Sequence, residues 1–435
     1  MEDKKSRALA LDILMTAGKD AYLEDVLREE LDRNSISRTD RAFITRLAEG
    51  VTERRITLDQ LIGRFSRTPV EKLRPVIRQC LRMGTYQLIY MDHVPDHAAI
   101  NETIKLVKER KLAGLSGFVN AVLRKISMWK KDDPEGMAAW IKETPEREFS
   151  TPAWIVRRLE EEYGQETARR ILADQFVKKP LTLRVNSTKT SRDSVLAILR
   201  ENGIAAEKGE LSGQAVRVFR AENPSNLPGW QEGLFIVQDE SSMLAVEAAE
   251  IAAGESVLDI CAAPGGKTTY AAELSGGRVV SRDIAPGKVR KIEENLARLG
   301  LRAETGTGDA AVFEPCFTDD EKKGIMDLVI ADVPCSGLGV IGKKNDIKYR
   351  LRPEDPKSLA EQGGRILDTA AGYVKPGGRL LFSTCTILPE ENRENTAAFI
   401  SRHPGFRLEK EKQLLQGVDH CDGFYYAVLR RENAR

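Results

Sequence analysis

Over roughly the first 140 residues the apolar positions recur three and four apart. Leu23, Leu27 and Leu31 fall at i, i+4 and i+8 with Val26 on the same flank, and Ile44, Leu47 and Val51 repeat the spacing behind a cap at Ser37 or Thr39. Strand-like alternation is scarce there, so residues 1–140 are predicted to form a helical bundle with these side chains as its core. From about 150 to 235 the period changes. "PLTLRVN" (180–186) and "AVRVFRAE" (215–222) read as strands, and "SRDSVLAILRENG" (191–203) as a capped helix closed by Gly203, which predicts a small α/β domain over 141–235. Beyond 236, short apolar runs alternate with helices. "SVLDICA" (256–262), "RVVSRDI" (278–284), "DLVIADV" (327–333) and "RLLFSTC" (379–385) are the strands, 285–300 is a helix closed by glycine, and "VKPGG" (374–378) is a tight turn. Alternating β and α units imply a parallel, doubly wound sheet, whose ligands bind at the carboxyl ends of the strands.

Composition narrows the class. The 435 residues suit two or three domains, and 41% hydrophobic with 31% charged residues is the balance of a soluble globular protein. No run of ~18 apolar residues occurs, and the start lacks the apolar centre of a secretion signal, so no membrane segment is expected. The six cysteines are scattered with no C-x-x-C pair, which argues against a structural metal or a disulfide framework and for a reducing cytoplasm. Cys80, Cys316 and Cys421 are expected to be buried small hydrophobes, and Cys261 to pack within its loop. His93 and His97, four apart, have no third ligand nearby, so no metal is expected. The formal net charge is +1, so any nucleic-acid contact must rest on local patches. Lys178, Lys179, Arg184, Lys189 and Arg192 make one edge of the middle domain basic, suited to a phosphate backbone or simply to solvent.

The loop "CAAPGGKTT" (261–269) ends like a phosphate-binding loop, but Cys261 stands where the first glycine of that pattern belongs. It follows a strand and opens a helix. Gly265 and Gly266 let the backbone turn and approach a ligand, and Asp283, 18 residues after Gly265, ends the next strand where an acid can accept both hydroxyls of a ribose. Asp309, in "GTGDA", ends a third strand near the adenine. These features describe a nucleoside site without a pyrophosphate, which fits S-adenosylmethionine.

"DVPCSG" (332–337) follows the fourth strand and "STC" (383–385) closes the fifth, so Cys335 and Cys385 are predicted to meet at neighbouring strand ends. Pro389 then opens a helix with Glu390 and Glu391 in its first turn. Thiols there suit one reaction. C5 of cytosine is too poor a nucleophile to take a methyl unaided; a thiolate adding to C6 makes it enamine-like, after which the C5 proton must leave and the thiol be expelled. Asp332 is placed to hydrogen-bond N3 and the amino group, protonated when it meets N3.

"DICAAPGGKT", "DVPCSG" with "DIKYR" downstream, and "FSTCTILPEEN" resemble the signatures of the NOL/NOP/Sun group of RNA 5-methylcytosine methyltransferases. "LRMGTYQLIYMDHVPDHAAINETIKLVKE" (81–109) with "GFVNAVLRKI" (117–126) resembles a NusB-like RNA-binding domain, as in the bacterial members that methylate a small-subunit ribosomal RNA cytosine. The resemblance implies an all-α NusB-like domain (1–140), a small RRM-like α/β domain (141–235) and a Rossmann-like class I methyltransferase domain (236–435). It implies Cys385 as nucleophile, Cys335 as the group assisting product release, and S-adenosylmethionine contacts at Cys261, Ala262, Ala263, Pro264, Gly265, Gly266, Lys267, Asp283, Asp309 and Asp332. DNA cytosine methyltransferases use the P-C cysteine instead, so spacing alone leaves the two thiol roles open. The implied partner is 16S rRNA and the implied state a cytoplasmic monomer. Where the group often has paired arginines, this chain has Lys343 and Lys344, which keep charge but lose bidentate phosphate geometry. Gly363 and Gly364 weaken a helix with no functional reason apparent in the sequence. A non-catalytic RNA-binding factor, and the same chemistry on tRNA or 23S rRNA, are the alternatives.

Overall fold

The computed structural model describes residues 2–17, 21–34, 36–219, 223–320 and 323–433. The chain packs as two units, one of residues 1–175 with 341–350, the other of 176–340 with 351–435.

The first unit is helical. Leu23–Arg33, Arg38–Glu53, Arg55–Phe65, Pro75–Tyr90, Asp96–Glu109 and Ser116–Asp132 surround a core that includes Leu23, Val26, Leu27, Leu31, Ile44, Leu47 and Val51. Ser37 supplies the expected cap, its Oγ accepting from the Asp40 N–H at 3.1 Å. By packing, the helix Ala153–Asp174 and its C-cap Gln175 stay with the bundle. The segment 341–350 also folds into this unit. Lys348 is fully buried there, donating from Nζ to Gln175 Oε1 at 2.6 Å and Glu53 O at 3.1 Å, and burial pushes its pKa well down.

The second unit holds two sheets. The smaller has β1 (Leu181–Val185), β2 (Ala206–Lys208), β3 (Ala215–Val218) and β4 (Phe235–Val237) in the order β2-β3-β1-β4, all antiparallel. The helix Arg192–Glu201 is capped by Ser191, and Gly203 lies at φ 72° as its left-handed stop. The strand predicted over 215–222 ends at Val218, and 220–222 lie outside the described residues. The larger sheet is β5 (Val257–Asp259), β6 (Val279–Asp283), β7 (Glu304–Thr307), β8 (Met326–Asp332), β9 (Val374–Thr384), β10 (Phe406–Leu414) and β11 (Phe424–Arg431), ordered β10-β11-β9-β8-β5-β6-β7. β5 to β9 are mutually parallel, whereas β10 and β11 add antiparallel pairs. The predicted turn at 374–378 is the start of β9, with Gly377 at φ 76° and a register shift opposite Met326 and Leu328. The predicted helix after Pro389 is a single 3₁₀ turn, Pro389–Glu391, that breaks at Asn392 before the helix Arg393–Arg402.

Arg184 is not on a basic edge. It is fully buried, paired with Glu273 at 2.5 Å, and donates to Gly266 O at 2.7 Å, so it meets no phosphate. Lys189 likewise donates to Glu232 O at 2.7 Å. Cys316 is exposed, against the expectation of burial, whereas Cys80 and Cys421 are buried.

Candidate active site

Because β5 to β9 run parallel, their carboxyl ends share one edge of the sheet. The glycine loop leaves β5 there. Gly265 lies at φ 100°, a conformation L side chains avoid, and a Cβ on it would sit 3.2 Å from Ile292; Gly266 has ordinary backbone geometry, so only Gly265 is required by conformation. The loop is held from two sides: the Ala263 N–H donates to Asp283 Oδ2 at 3.0 Å and Asn295 Nδ2 to Pro264 O at 3.0 Å. Cys261 is half-buried against the core beneath.

Lys267, the second residue of the helix Gly266–Ser275, reaches across to the end of β8. Its Nζ lies 2.7 Å from Asp332 Oδ2, while Ser383 Oγ donates to Asp332 Oδ1 at 2.8 Å. Cys335 and Cys385 follow, with their Sγ atoms 3.4 Å apart; neither is in a disulfide among the described residues and both remain partly exposed. The Gly339 N–H donates to Cys385 O at 3.0 Å, and a Cβ at Gly339 would clash with Gly423 O, so the turn after Cys335 tolerates no side chain at 339. The hydrogen bond with Cys385, then burial and the nearby Glu391, push the Cys335 thiol well above its usual range, which keeps Cys335 protonated beside its neighbour.

One buried carboxylate joins the two cysteine turns. Glu391 accepts the Ser336 N–H at 2.7 Å and Ser336 Oγ at 2.5 Å, and Thr386 Oγ1 at 3.3 Å. Ser336 Oγ and Thr386 Oγ1 are themselves 2.7 Å apart.

Chain comparisons agree with this layout. The family described as 16S rRNA methyltransferase RsmB/F matches residues 246–430, the NusB family matches 4–128, and a ferredoxin-like domain of RsmF/B-like methyltransferases matches 151–223. The probable ribosomal RNA small subunit methyltransferase B of Bacillus subtilis is 36% identical over 99% of this chain and 100% of its own. The ribosomal RNA small subunit methyltransferase B of Klebsiella pneumoniae is 33% identical over 92% of this chain and 93% of its own. The chain belongs to this rRNA methyltransferase family. In fold it is similar to the solved protein PH0851, with a TM-score of 0.82, 24% identity and 99% of both chains covered. It is also similar to NSun6 from Pyrococcus horikoshii, solved with SFG, at a TM-score of 0.57, 20% identity, and 65% of this chain and 99% of that one covered. The methyltransferase depends on S-adenosylmethionine.

The strand-end residues fit that cofactor. Asp283 is 5% exposed and gives one oxygen to the glycine loop; its Oδ1 accepts no hydrogen bond, although Lys288 Nζ stands 3.4 Å away. A ribose hydroxyl is the donor such an acceptor lacks. Ile284, 64% exposed, and Val312, 58% exposed, hold apolar side chains in water next to Asp283 and three residues past Asp309. Asp309 is exposed and its Oδ1 accepts the Ala311 N–H at 2.9 Å.

Direct contacts thus join Lys267, Asp332, Cys335 and Cys385 into two adjoining pairs on neighbouring strand ends, and Asp283 to the loop. Asp309 stands apart, two residues past β7. The sequence reading missed Ser336, Ser383, Thr386, Glu391, Arg184 and Asp259 as members of the site. Asp259 ends β5 beneath the loop, accepts Thr268 Oγ1 at 2.7 Å, and burial pushes its carboxyl up to about 7. An acid at a strand end directly before a glycine loop was a signal for Asp259; nothing in the local sequence marked Glu391 beyond its two-residue distance from a proline.

Proposed function

We propose that this methyltransferase modifies C5 of a cytosine in 16S rRNA through a covalent bond between Cys385 Sγ and C6 of the ring. The observation that carries the reading is the 3.4 Å thiol pair at the ends of β8 and β9, next to Asp332 and Lys267. S-adenosylmethionine, when bound, would supply an electrophilic methyl, the electron pair of the broken methyl–sulfur bond staying on its sulfur. Cys385 adds as thiolate to C6, the ring electrons move toward C5 and N3, and C5 takes the methyl. Asp332 accepts from the cytosine amino group, and the Lys267 ammonium beside it lends N3 a proton and takes it back as C5 attacks and the N3–C4 double bond re-forms, which replaces the need for a protonated Asp332. The C5 proton then leaves to a base, its electron pair restores the C5–C6 double bond, and the Sγ–C6 bond breaks. Cys335, held as a thiol, assists that release.

The helical unit supplies a candidate rRNA contact. Arg55 separates two cavities of about 410 and 630 Å³ that both also touch Gln79 and Arg82. Arg82 is held by Asp59 at 2.6 Å, but Arg55 makes no hydrogen bond or ion pair among the described residues and stacks on Tyr349 at 4.5 Å. Lys348 and Arg350 are consumed by internal partners, so what the 341–350 segment offers rRNA is its exposed lysines, Lys343 and Lys344.

Incubating Cys335→Ala with 16S rRNA and S-adenosylmethionine is expected to yield a protein–RNA adduct that survives denaturing electrophoresis and is absent when Cys385→Ala is added. Full turnover by Cys385→Ala refutes the assignment.

A further inference from the structure

We infer that Glu391 is a positioning residue for the two thiols, fixing their separation and holding Cys335 as the proton-bearing member. This rests on the covalent reading above. The geometry is specific. Each cysteine is followed by a hydroxyl residue, Ser336 and Thr386, and both hydroxyls converge on Glu391 Oε1, while Oε2 takes the Ser336 N–H at 2.7 Å. Ahead of the cysteines the same two turns are tied by Ser383 to Asp332 at 2.8 Å and by the Val333 N–H to Ser383 O at 3.1 Å. The thiols therefore sit between two cross-links, one on each side in sequence. Glu391 is 2% exposed and has no cationic partner among the described residues; burial pushes its carboxyl up to about 7, and above that pH its charge is held by hydrogen-bond donors alone. The next residue serves the same end: Asn392 Oδ1 accepts Thr384 Oγ1 at 2.6 Å and its Nδ2 donates to Thr386 O at 3.0 Å.

Two consequences follow. First, glutamine at 391 can keep an oxygen for the Ser336 N–H only by turning its amide NH₂ to the hydroxyl pair, so Ser336 Oγ must accept where it now donates and the charge-assisted tie between the two cysteine turns is lost. A shift of the order of 1 Å in a reacting group costs about 100-fold in rate. Secondly, a negative charge next to Cys335 disfavours its thiolate, and removing that charge lets the thiol ionise at lower pH.

The test uses the full-length chain without RNA. Alkylation of Cys335 and Cys385 by iodoacetamide is followed against pH by mass spectrometry in the parent and in Glu391→Gln, with calorimetric titration of S-adenosylmethionine to confirm an intact cofactor site. The expected result is a Cys335 profile moved to lower pH in Glu391→Gln, unchanged cofactor affinity, and methyl transfer to 16S rRNA reduced about 100-fold in kcat with KM little altered. Identical alkylation profiles together with transfer within about twofold of the parent overturn the inference. If Glu391→Gln fails to bind the cofactor, Glu391→Asp takes its place: retaining the charge but not the reach, it should leave the Cys335 profile in place and still lose transfer, and full transfer overturns the inference. Since alkylation needs no substrate, its outcome is independent of whether Cys385 forms an adduct with RNA.

Discussion

Replacing Arg184 by alanine should unfold the catalytic unit at markedly lower temperature and loosen the glycine loop. The guanidinium is fully buried and donates to Glu273 Oε1 at 2.5 Å, Thr269 Oγ1 at 3.0 Å, Gly266 O at 2.7 Å and Gln238 Oε1, and lies 4.4 Å from the centroid of the Tyr270 ring. Taking it away leaves the Glu273 carboxylate buried, with only Ser187 near it at 3.3 and 3.4 Å. A buried charge that loses its partner costs about 3–5 kcal/mol. The unit has roughly 250 residues, for which each kcal/mol moves the melting temperature by about 2–4 °C, so a fall of about 6–20 °C is expected. The Gly266 carbonyl also loses a charged donor at the opening of the cofactor loop, which predicts roughly tenfold weaker S-adenosylmethionine binding. Replacing both partners with apolar residues, Arg184→Met with Glu273→Leu, removes the stranded charge and should recover most of the lost stability. Scanning calorimetry with and without cofactor measures both effects. A drop below about 2 °C for Arg184→Ala, or a double variant no more stable than the single one, refutes the reasoning.

Asp259 gives a pH signature. Burial raises its carboxyl to about 7 in the folded state, so the stability it contributes is complete below the ordinary carboxylate range and is lost as pH rises through about 7. Between pH 5 and 8 the parent should lose about 2–3 kcal/mol from this group, and Asp259→Asn should remove that part of the slope in urea titrations; an unchanged slope contradicts it. Arg55→Ala should weaken 16S rRNA binding and lower the slope of log affinity against log salt by about 0.7–0.9, whereas equal slopes exclude a phosphate contact.

The parts of the fold carried by local periodicity were legible in the sequence. The bundle core, the capped helix after Ser191 and the glycine-closed helix Pro286–Leu299 each depend on side chains within a few residues of one another. The strand ends bearing Asp283, Asp332 and Cys385 were legible for the same reason. The misses are long-range. Arg184 looks like one more cation on a strand, and its partner Glu273 lies 89 residues on. Glu391 looks like a helix-opening charge, yet what it binds is Ser336, 55 residues earlier. Lys348 looks like part of a basic loop, whereas its acceptors Gln175 and Glu53 are 173 and 295 residues away. In each case a charged side chain is buried against partners that no local pattern specifies.

The thiol pair itself depends on apolar packing. In the parallel pairing of β8 with β9, Asp332 is in register with Ser383, and the pairs before it are Val329 with Leu380, Ile330 with Leu381 and Ala331 with Phe382, all fully buried. Val329, Ala331, Leu380 and Phe382 pack into the core on one face and Ile330 and Leu381 into the core on the other, so a one-residue slip would exchange side chains between two differently shaped cores; that packing fixes the register, and the register sets Asp332 and Ser383 opposite each other. Cys335 and Cys385 then lie three and two residues beyond a pair already bonded at 2.8 Å. The crossover helix Asp355–Tyr373 between the two strands holds the first of these turns from behind. A Cβ at Gly363 would lie 3.2 Å from Val333 Cγ2 and 3.2 Å from Asn395 Nδ2, and one at Gly364 would lie 3.2 Å from Asn395 Oδ1. Glycine there costs the helix about 1 kcal/mol at each position, and in return the helix closes directly onto the residue after Asp332. Gly363, without an evident purpose in the sequence, thus lets the helix pack tightly against the residue after Asp332 on the way to Cys335, whereas Gly364 makes room for Asn395 and Arg402 of the helix Arg393–Arg402.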